Sequence, residues 1–216
     1  MKSNNNLQIV NKMKASFSLV ALALVLMTSL SFGCTESNAA VCESRTTGNF
    51  YGIILNGNAN VVLTQGESNS VRLEGDYQNV REVETVVSNG ALIIESGQLR
   101  NVTVYITMND VSLLQVNGNG AITGKSIIFS DMLLMKVNGN GTINADVRAL
   151  SVGMVINGGG KIVARGSSGD SFIKVKGNGQ VYSQNLDSVS VKKELSQVST
   201  TRTRSFSVAH TAGTVN

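Results

Sequence analysis

A seven-residue pattern of apolar and polar positions occurs four times in the second half of the chain, about twenty residues apart. The copies are VNGNGAI at 116–122, VNGNGTI at 137–143, INGGGKI at 156–162 and VKGNGQV at 175–181. In an extended chain, side chains alternate between two faces, so the apolar ends and the glycines share one face while the polar residues share the other. The two glycines permit a sharp bend between short buried strands. A helix is disfavoured because each interior Gly costs about 1 kcal/mol.

Other apolar runs along the chain also have the length of strands. VTVYITM at 102–108 alternates strictly, and a related phrase, LNGNANV, occupies 55–61. A period near twenty residues is typical of solenoids, in which each unit buries its apolar face by stacking on its neighbours. The pattern therefore predicts an all-β fold over 48–190, a single-stranded right-handed parallel β-helix with roughly seven rungs of about twenty residues.

Stacked rungs would align the repeated residues in columns. The glycines predicted to form the structural turns are Gly57, Gly118, Gly120, Gly139, Gly141, Gly158, Gly160, Gly177 and Gly179. The outward-facing asparagines are Asn117, Asn119, Asn138, Asn140, Asn157 and Asn178. Amide side chains stacked at the inter-strand spacing can hydrogen-bond along a column. These asparagines are accordingly predicted to form either a purely structural ladder or a multivalent binding face.

The first 39 residues have the pattern of an export leader. Three lysines precede the apolar run SFSLVALALVLMTSLSFG, as in a secretory signal peptide. Cleavage is predicted before Cys34, where SFGC resembles a lipobox, or before Ala40, after the small residues of SNA. The first site would make Cys34 a candidate for lipidation, and an uncleaved membrane anchor is the alternative. At the other end, residues 191–216 are predicted to form a cap or a disordered tail.

The composition is typical of a protein built from short strands, and the position of the basic residues shows that the chain beyond the leader is nearly neutral. Gly reaches 22 residues, Pro and Trp are absent, and aromatic residues make up 5% of the chain, so Val, Ile, Leu, Met and Ala must build the core. Three of the 18 basic residues are leader lysines, which leaves 15 basic and 14 acidic residues from Cys34 onward. That near-neutral balance argues against a nucleic-acid partner, although the whole chain has a formal charge of +4.

Cysteine and histidine predict neither a metal site nor another cofactor. The chain has two cysteines, Cys34 and Cys42, and one histidine, His210, so zinc-type ligand spacing is absent. If Cys34 is lipidated or removed, Cys42 becomes a lone thiol that is free or paired with another chain. A disulfide between Cys34 and Cys42 is the alternative.

The sequence contains no catalytic constellation. Polysaccharide enzymes need clustered carboxylates, whereas Asp110 and Asp131, 21 residues apart, are more typical of two stacked turns. The Gly-x-Gly segments do not resemble phosphate loops, because those loops precede a helix and strands follow here. A basic group is a weaker candidate for acidic glycans or lipid headgroups: Lys161, Arg165, Lys174 and Lys176.

Several segments carry a resemblance to a known family. FYGIILNGNANVVLTQGESNSVRLEGD, VETVVSNGALIIES, VTVYITM and LLQVNGNGAI are similar to the putative autotransporter adhesin, head GIN domain family. The resemblance spans about 50–182, and its motifs are glycine turns and alternating apolar residues. It implies an exported, β-helical domain with a role in cell-surface adhesion, and it brings no catalytic residues with it.

These observations predict an exported, non-catalytic protein of the periplasm or cell surface, attached to the outer membrane if Cys34 is lipidated. The predicted partner is a glycan or another cell-surface polymer. The only predicted membrane contact is the lipid anchor. The main alternative is a structural scaffold that binds envelope proteins, and a less favoured one is a polysaccharide-active enzyme.

Overall fold

The computed structural model describes residues 40–98 and 101–196, which form twelve strands and one short helix. In chain order the elements are β1 (Ala40–Arg45), β2 (Gly52–Gly57), β3 (Asn60–Gln65), β4 (Ser70–Asp76), α1 (Tyr77–Glu82), β5 (Glu84–Ser88), β6 (Ala91–Gly97), β7 (Val102–Met108), β8 (Leu113–Gly118), β9 (Ala121–Gly139), β10 (Thr142–Asn157), β11 (Lys161–Lys176) and β12 (Gln180–Ser196). The predicted leader, with Cys34, and residues 197–216, with His210, lie outside the described part of the chain.

All twelve strands belong to one mixed sheet that curls into a nearly closed, barrel-like form. Its main path runs β1-β4-β7-β3-β9-β8-β2-β6-β5, and β10, β11 and β12 continue from β9. Strand β1 pairs antiparallel with β4, β4 with β7, and β5 with β6. The remaining pairs are parallel.

The predicted right-handed parallel β-helix of about seven equal rungs is therefore wrong. Three antiparallel pairs in the first half of the chain, β1–β4, β4–β7 and β5–β6, overturn it, because every neighbouring pair in a parallel β-helix is parallel. The β5–β6 hairpin shows the cause. Its two-residue loop is Asn89-Gly90, with φ values of 51° and 74°, and Asn-Gly is the strongest sequence signal for a tight antiparallel turn.

The four copies of the repeated phrase lie side by side in parallel register within this mixed sheet. Val116 is opposite Val137, Val137 is opposite Ile156, and Ile156 is opposite Val175. The related phrase in β2 joins the same row, with Leu55 opposite Val116. The repeat thus sets the register of five neighbouring strands, although it does not set the architecture of the whole domain.

The bends between these strands need glycine at two kinds of position. Gly139 has φ 113°, a backbone conformation that residues with a side chain rarely adopt. A Cβ there would lie 2.7 Å from the carbonyl oxygen of Gly118 on the neighbouring strand. At Gly141 the backbone is ordinary, but a Cβ would overlap the side chain of Val116. One glycine is required by conformation and the other by close packing.

A single hydrophobic core lies inside the sheet and consists almost entirely of aliphatic residues. Strand β7 shows the underlying alternation, since every second residue from Val102 to Met108 is buried. Cys42, in β1, is disulfide-bonded. In the described part of the chain, no helix is long and apolar enough to cross a membrane.

Candidate functional site

A column of asparagine side chains runs across the neighbouring strands at the glycine bend, and we call it the inner ladder. Asn157 Nδ2 donates to Asn138 Oδ1 at 2.8 Å, Asn138 Nδ2 to Asn117 Oδ1 at 2.7 Å, and Asn117 Nδ2 to Asn56 Oδ1 at 2.7 Å. Asn56 in turn donates to the carboxylate of Glu95. The side chains of the inner ladder are half-buried, and each donates a hydrogen bond to a side chain of the neighbouring strand.

A second column, the outer ladder, lies two residues further along each strand and is exposed. Asn119 Nδ2 donates to Asn58 Oδ1 at 3.2 Å, and Asn140 Nδ2 donates to Asn119 Oδ1 at 3.4 Å. The column stops at Gly159, which has no side chain to continue it. Asn178, on the next strand beyond Gly159, is joined to neither ladder by the side-chain hydrogen bonds of the described residues.

The two ladders differ in what they can offer a ligand. An Asn amide has two N–H donors and one oxygen with two lone pairs. In Asn138 one donor and one lone pair are engaged within the inner ladder, and the side chain is only partly accessible. Asn119 and Asn140 are more exposed and make longer bonds, and Asn178 is exposed and joined to neither ladder, so these three are the more available of the six predicted asparagines.

Elsewhere on the surface, two adjoining cavities share Asp110, and together we call them the Asp110 groove. The first has a volume of about 460 Å³. It lies where the chain enters β2, at the β3–β4 turn and at the β7–β8 connection. Its lining residues are Thr47, Asn49, Phe50, Tyr51, Glu67, Ser68, Asn69, Asn109 and Asp110.

Backbone-directed hydrogen bonds hold the first cavity in place. Asn69 Nδ2 donates to the carbonyl of Phe50 at 2.9 Å, and Asn69 Oδ1 accepts from the backbone N–H of Asn109 at 3.3 Å. The ring of Tyr51 lies against Gly90, where any Cβ would overlap it, and its hydroxyl donates to the carbonyl of Asn89 at 3.3 Å. Three separate segments are therefore fastened around this cavity.

The second cavity of the groove is more open and has a volume of about 520 Å³. It lies over the middle of β9, β10 and β11, and its lining residues are Asp110, Phe129, Ser130, Asp131, Arg148, Ala149, Leu150 and Ser167. The Phe129 ring is 56% exposed. The Arg148 guanidinium lies 5.9 Å from the centre of that ring, within the range of a cation–π contact.

Gln65 connects the two cavities. Its Nε2 donates to the carbonyls of Asn109 at 2.8 Å and Phe129 at 3.0 Å, while its Oε1 accepts from the N–H of Phe129 at 2.7 Å. The Gln65 side chain thus fixes the backbone of Phe129 on both sides. The backbone of Phe129 and the loop that carries Asp110 are consequently joined through one side chain.

The predicted basic group is largely paired with acids or stacked on an aromatic ring. Arg165 Nε lies 2.9 Å from an oxygen of Asp146, and Lys174 Nζ lies 2.7 Å from an oxygen of Glu194. The hydrogen bond and the charge of Lys174 lower the pKa of Glu194 below its ordinary value. Lys161 Nζ lies 4.7 Å from the centre of the Tyr182 ring.

The two carboxylates considered in the sequence, Asp110 and Asp131, line the same cavity. Asp146, in β10, pairs with Arg165 instead. Among residues 40–98 and 101–196, no group of three His, Cys, Asp or Glu side chains is arranged to hold a metal ion. Tyr51, Gln65 and Phe129 were not singled out from the sequence, and no sequence signal marks Phe129 as exposed, because it lies in an apolar run.

The sequence of the chain matches a family model described as "Putative auto-transporter adhesin, head GIN domain" over residues 49–205. The chain belongs to this family. The resemblance inferred from the glycine turns and alternating residues is thereby confirmed. No functionally curated protein is significantly similar to this GIN-domain chain.

Several solved structures share the fold of this chain. A putative adhesin from Bacteroides fragilis has a TM-score of 0.71 and 18% identity, with 78% of this chain and 82% of that chain covered. A putative lipid binding protein from Parabacteroides distasonis has a TM-score of 0.65 and 14% identity, covering 76% and 81%. A putative adhesin from Parabacteroides merdae has a TM-score of 0.59 and 14% identity, covering 76% and 80%. Identities this low show a common fold.

Proposed function

We propose that this GIN-domain protein is an exported, non-catalytic binding module of the cell envelope and that it holds a glycan or another surface polymer in the Asp110 groove. The observation that carries the proposal is the composition of that open groove, where an exposed aromatic ring lies among carboxylate, amide, hydroxyl and guanidinium groups. Polar groups that converge around an apolar surface are typical of ligand sites. The adhesin description of the family and of two structural neighbours supports the same role.

Export completes the proposal. The leader pattern of residues 1–39 directs the chain out of the cytoplasm, and the protein then acts in the periplasm or at the cell surface. Cleavage before Cys34 would add a lipid anchor, whereas cleavage before Ala40 would release a chain that begins at the first residue of β1. In either case Cys34 is lipidated or removed, so the disulfide of Cys42 would be with a cysteine of another chain. The intact mass of the protein recovered from the envelope distinguishes these outcomes, because a lipidated Cys34 adds acyl chains and six more residues.

A binding screen tests the role itself. The exported protein is applied to an array of bacterial and host glycans and of isolated envelope polymers, and each bound polymer is then checked for shortening by size-exclusion chromatography. Saturable binding without shortening is the expected result. Shortening of a bound polymer would show an enzyme instead, and the absence of binding to every glycan and polymer would refute the proposed function.

A named relative gives the screen one more arm. The Parabacteroides distasonis neighbour is described as a putative lipid binding protein, so phospholipid vesicles belong in the same experiment. Lipid binding in place of polymer binding would contradict the proposal. The open and polar groove argues for the polymer, because an acyl chain requires an enclosed apolar cavity.

A further inference from the structure

The Asp110 groove contains an exposed aromatic ring on a backbone segment that side-chain hydrogen bonds hold in place. Phe129 is 56% exposed while its neighbour Ile128 is fully buried, so the ring points away from the core. Gln65 bonds both the N–H and the carbonyl of Phe129, and Arg148 approaches the ring at 5.9 Å. Because the backbone that carries the ring is already fixed, a ligand that stacks on the ring does not have to order it, which favours binding.

A second apolar side chain extends the surface around this ring. Leu150, which lines the same cavity, is 69% exposed. Scattered exposed apolar residues are ordinary, but a contiguous group on one surface marks an interaction site. The group around Phe129 is small and bordered by charges, so it suits a ligand with one apolar face rather than a large hydrophobic partner.

The polar side chains beside the ring supply both acceptors and donors. The carboxylates of Asp110 and Asp131 accept hydrogen bonds only, the guanidinium of Arg148 donates only, and the hydroxyls of Ser130 and Ser167 can do either. A pyranose has a face of C–H bonds, which stacks on an aromatic ring, and a rim of hydroxyls, each of which donates and accepts. The groove offers a partner for both features.

The charge of the groove selects among sugars. Glu67, Asp110 and Asp131 place three carboxylates along the two cavities, against the single guanidinium of Arg148. Binding of a negatively charged ligand group within about 4 Å of one of these carboxylates is weakened roughly fivefold even at the dielectric constant of water. Binding of an ammonium group there is strengthened by a similar factor. The groove is therefore unsuited to uronic acids, sulfated sugars and anionic lipid headgroups.

We propose that the Phe129 half of the Asp110 groove is a subsite for a neutral or amino-bearing sugar unit of a polysaccharide. The Phe129 ring is its stacking platform, and Asp110 and Asp131 accept hydrogen bonds from its hydroxyl or amino groups. This inference rests on the proposed function and names the ligand class for it. Gln65 is a positioning residue that acts on the sugar only through Phe129.

Binding of defined oligosaccharides by isothermal titration calorimetry tests the subsite. The probes are N-acetylglucosamine oligomers as neutral chains, glucosamine oligomers as amino-bearing chains, and galacturonic acid oligomers as acidic chains, together with vesicles of phosphatidylglycerol. The variants are Phe129→Ala, Phe129→Tyr and Asp131→Asn. Tyr77→Ala is the matched control, because Tyr77 is 52% exposed and lies on α1, outside the groove.

The expected result is binding of a neutral or amino-bearing oligomer that Phe129→Ala weakens by about tenfold or more, as loss of a stacking contact does. Phe129→Tyr retains the ring and should retain the affinity, Asp131→Asn should weaken the amino-bearing oligomer most, and Tyr77→Ala should have no effect. Circular dichroism confirms that each variant is folded.

The other outcomes separate the two proposals. If an oligomer binds but Phe129→Ala matches Tyr77→Ala, the subsite is wrong while the binding function stands. If the acidic oligomer or the vesicles bind in preference, the ligand class is wrong. If neither these probes nor the wider array of polymers binds, the proposed function fails together with this inference.

Discussion

The inner ladder allows a quantitative test at Asn138, in the middle of the column. Asn138→Ala removes two side-chain hydrogen bonds, one donated to Asn117 at 2.7 Å and one accepted from Asn157 at 2.8 Å. Each such bond contributes about 0.5–1.5 kcal/mol net. The free energy of unfolding should therefore fall by about 1–3 kcal/mol, which corresponds to roughly 2–4 °C in Tm for each kcal/mol in a domain of this size.

Asn140→Ala is the matched control, two residues along the same segment. It removes a single bond of 3.4 Å at an exposed position, so its cost should be below about 0.5 kcal/mol. Urea denaturation followed by far-ultraviolet circular dichroism measures both variants, since the chain has no Trp for fluorescence. A common m-value allows the midpoints to be compared directly. Equal losses at the two positions would refute the idea that the inner ladder stabilises the sheet and the outer ladder does not.

Two further predictions address the bends and the C-terminal strand. Gly139→Ala should destabilise the domain by about 2 kcal/mol or more, because φ is 113° and the new Cβ would lie 2.7 Å from a carbonyl oxygen. Gly124→Ala, whose Cβ would meet nothing closer than 3.6 Å, should cost far less stability in the same urea assay. Equal losses of stability in the two variants would contradict this account. Lys174→Met should raise the pKa of the Glu194 carboxyl in an NMR titration, because Lys174 holds that pKa below its ordinary value. A carboxylate with a lowered folded-state pKa stabilises the fold at pH values above its unfolded-state pKa, and this contribution is lost as the pH falls through the folded-state pKa. The wild type and Lys174→Met should therefore differ in stability near neutral pH and become equal in acid. A difference in stability that persists in acid would have another cause.

The strand register of the second half of the domain could be predicted from the sequence, because the residues of the repeated phrase are determined by the local backbone geometry. Each copy of the phrase places a required glycine at a bend and an apolar residue at a buried position. Any two copies therefore align in one way only, as the pairing of Val137 with Val116 and Ile156 shows. A one-residue slip would move every apolar residue of the copy to the outer face.

The architecture of the first half could not be extrapolated from that repeat. Asn89-Gly90 reverses the chain between β5 and β6, and the short helix Tyr77–Glu82 separates β4 from β5. Both features interrupt the twenty-residue period. The Asn-Gly dipeptide is a hairpin signal that can be seen in the sequence. It is stronger evidence for the local structure than a weak extension of the twenty-residue repeat into the first half of the chain.

The Asp110 groove could not be predicted from the sequence, for a different reason. In the run IIFSDMLLM, Ile128, Leu133 and Met135 are buried while Phe129 and Met132 are exposed. The interval from Ile128 to Leu133 is odd, so the alternation changes phase where β9 bends. Continuous apolar runs do not show where such a change falls. The position of Phe129 on the outside, and hence the Asp110 groove, follows only from the folded chain.

The head-to-tail arrangement of the inner ladder has a consequence for how this protein can change in length. Asn117, Asn138 and Asn157 each present an acceptor to one neighbouring strand and a donor to the other. Any segment that carries the same phrase therefore matches both of its neighbours and can be duplicated or deleted in frame without leaving an unmatched amide. Glu95, which only accepts, ends the series on one side. Tandem duplication or deletion of such a segment would thus change the length of the column in this chain while both of its ends stay the same.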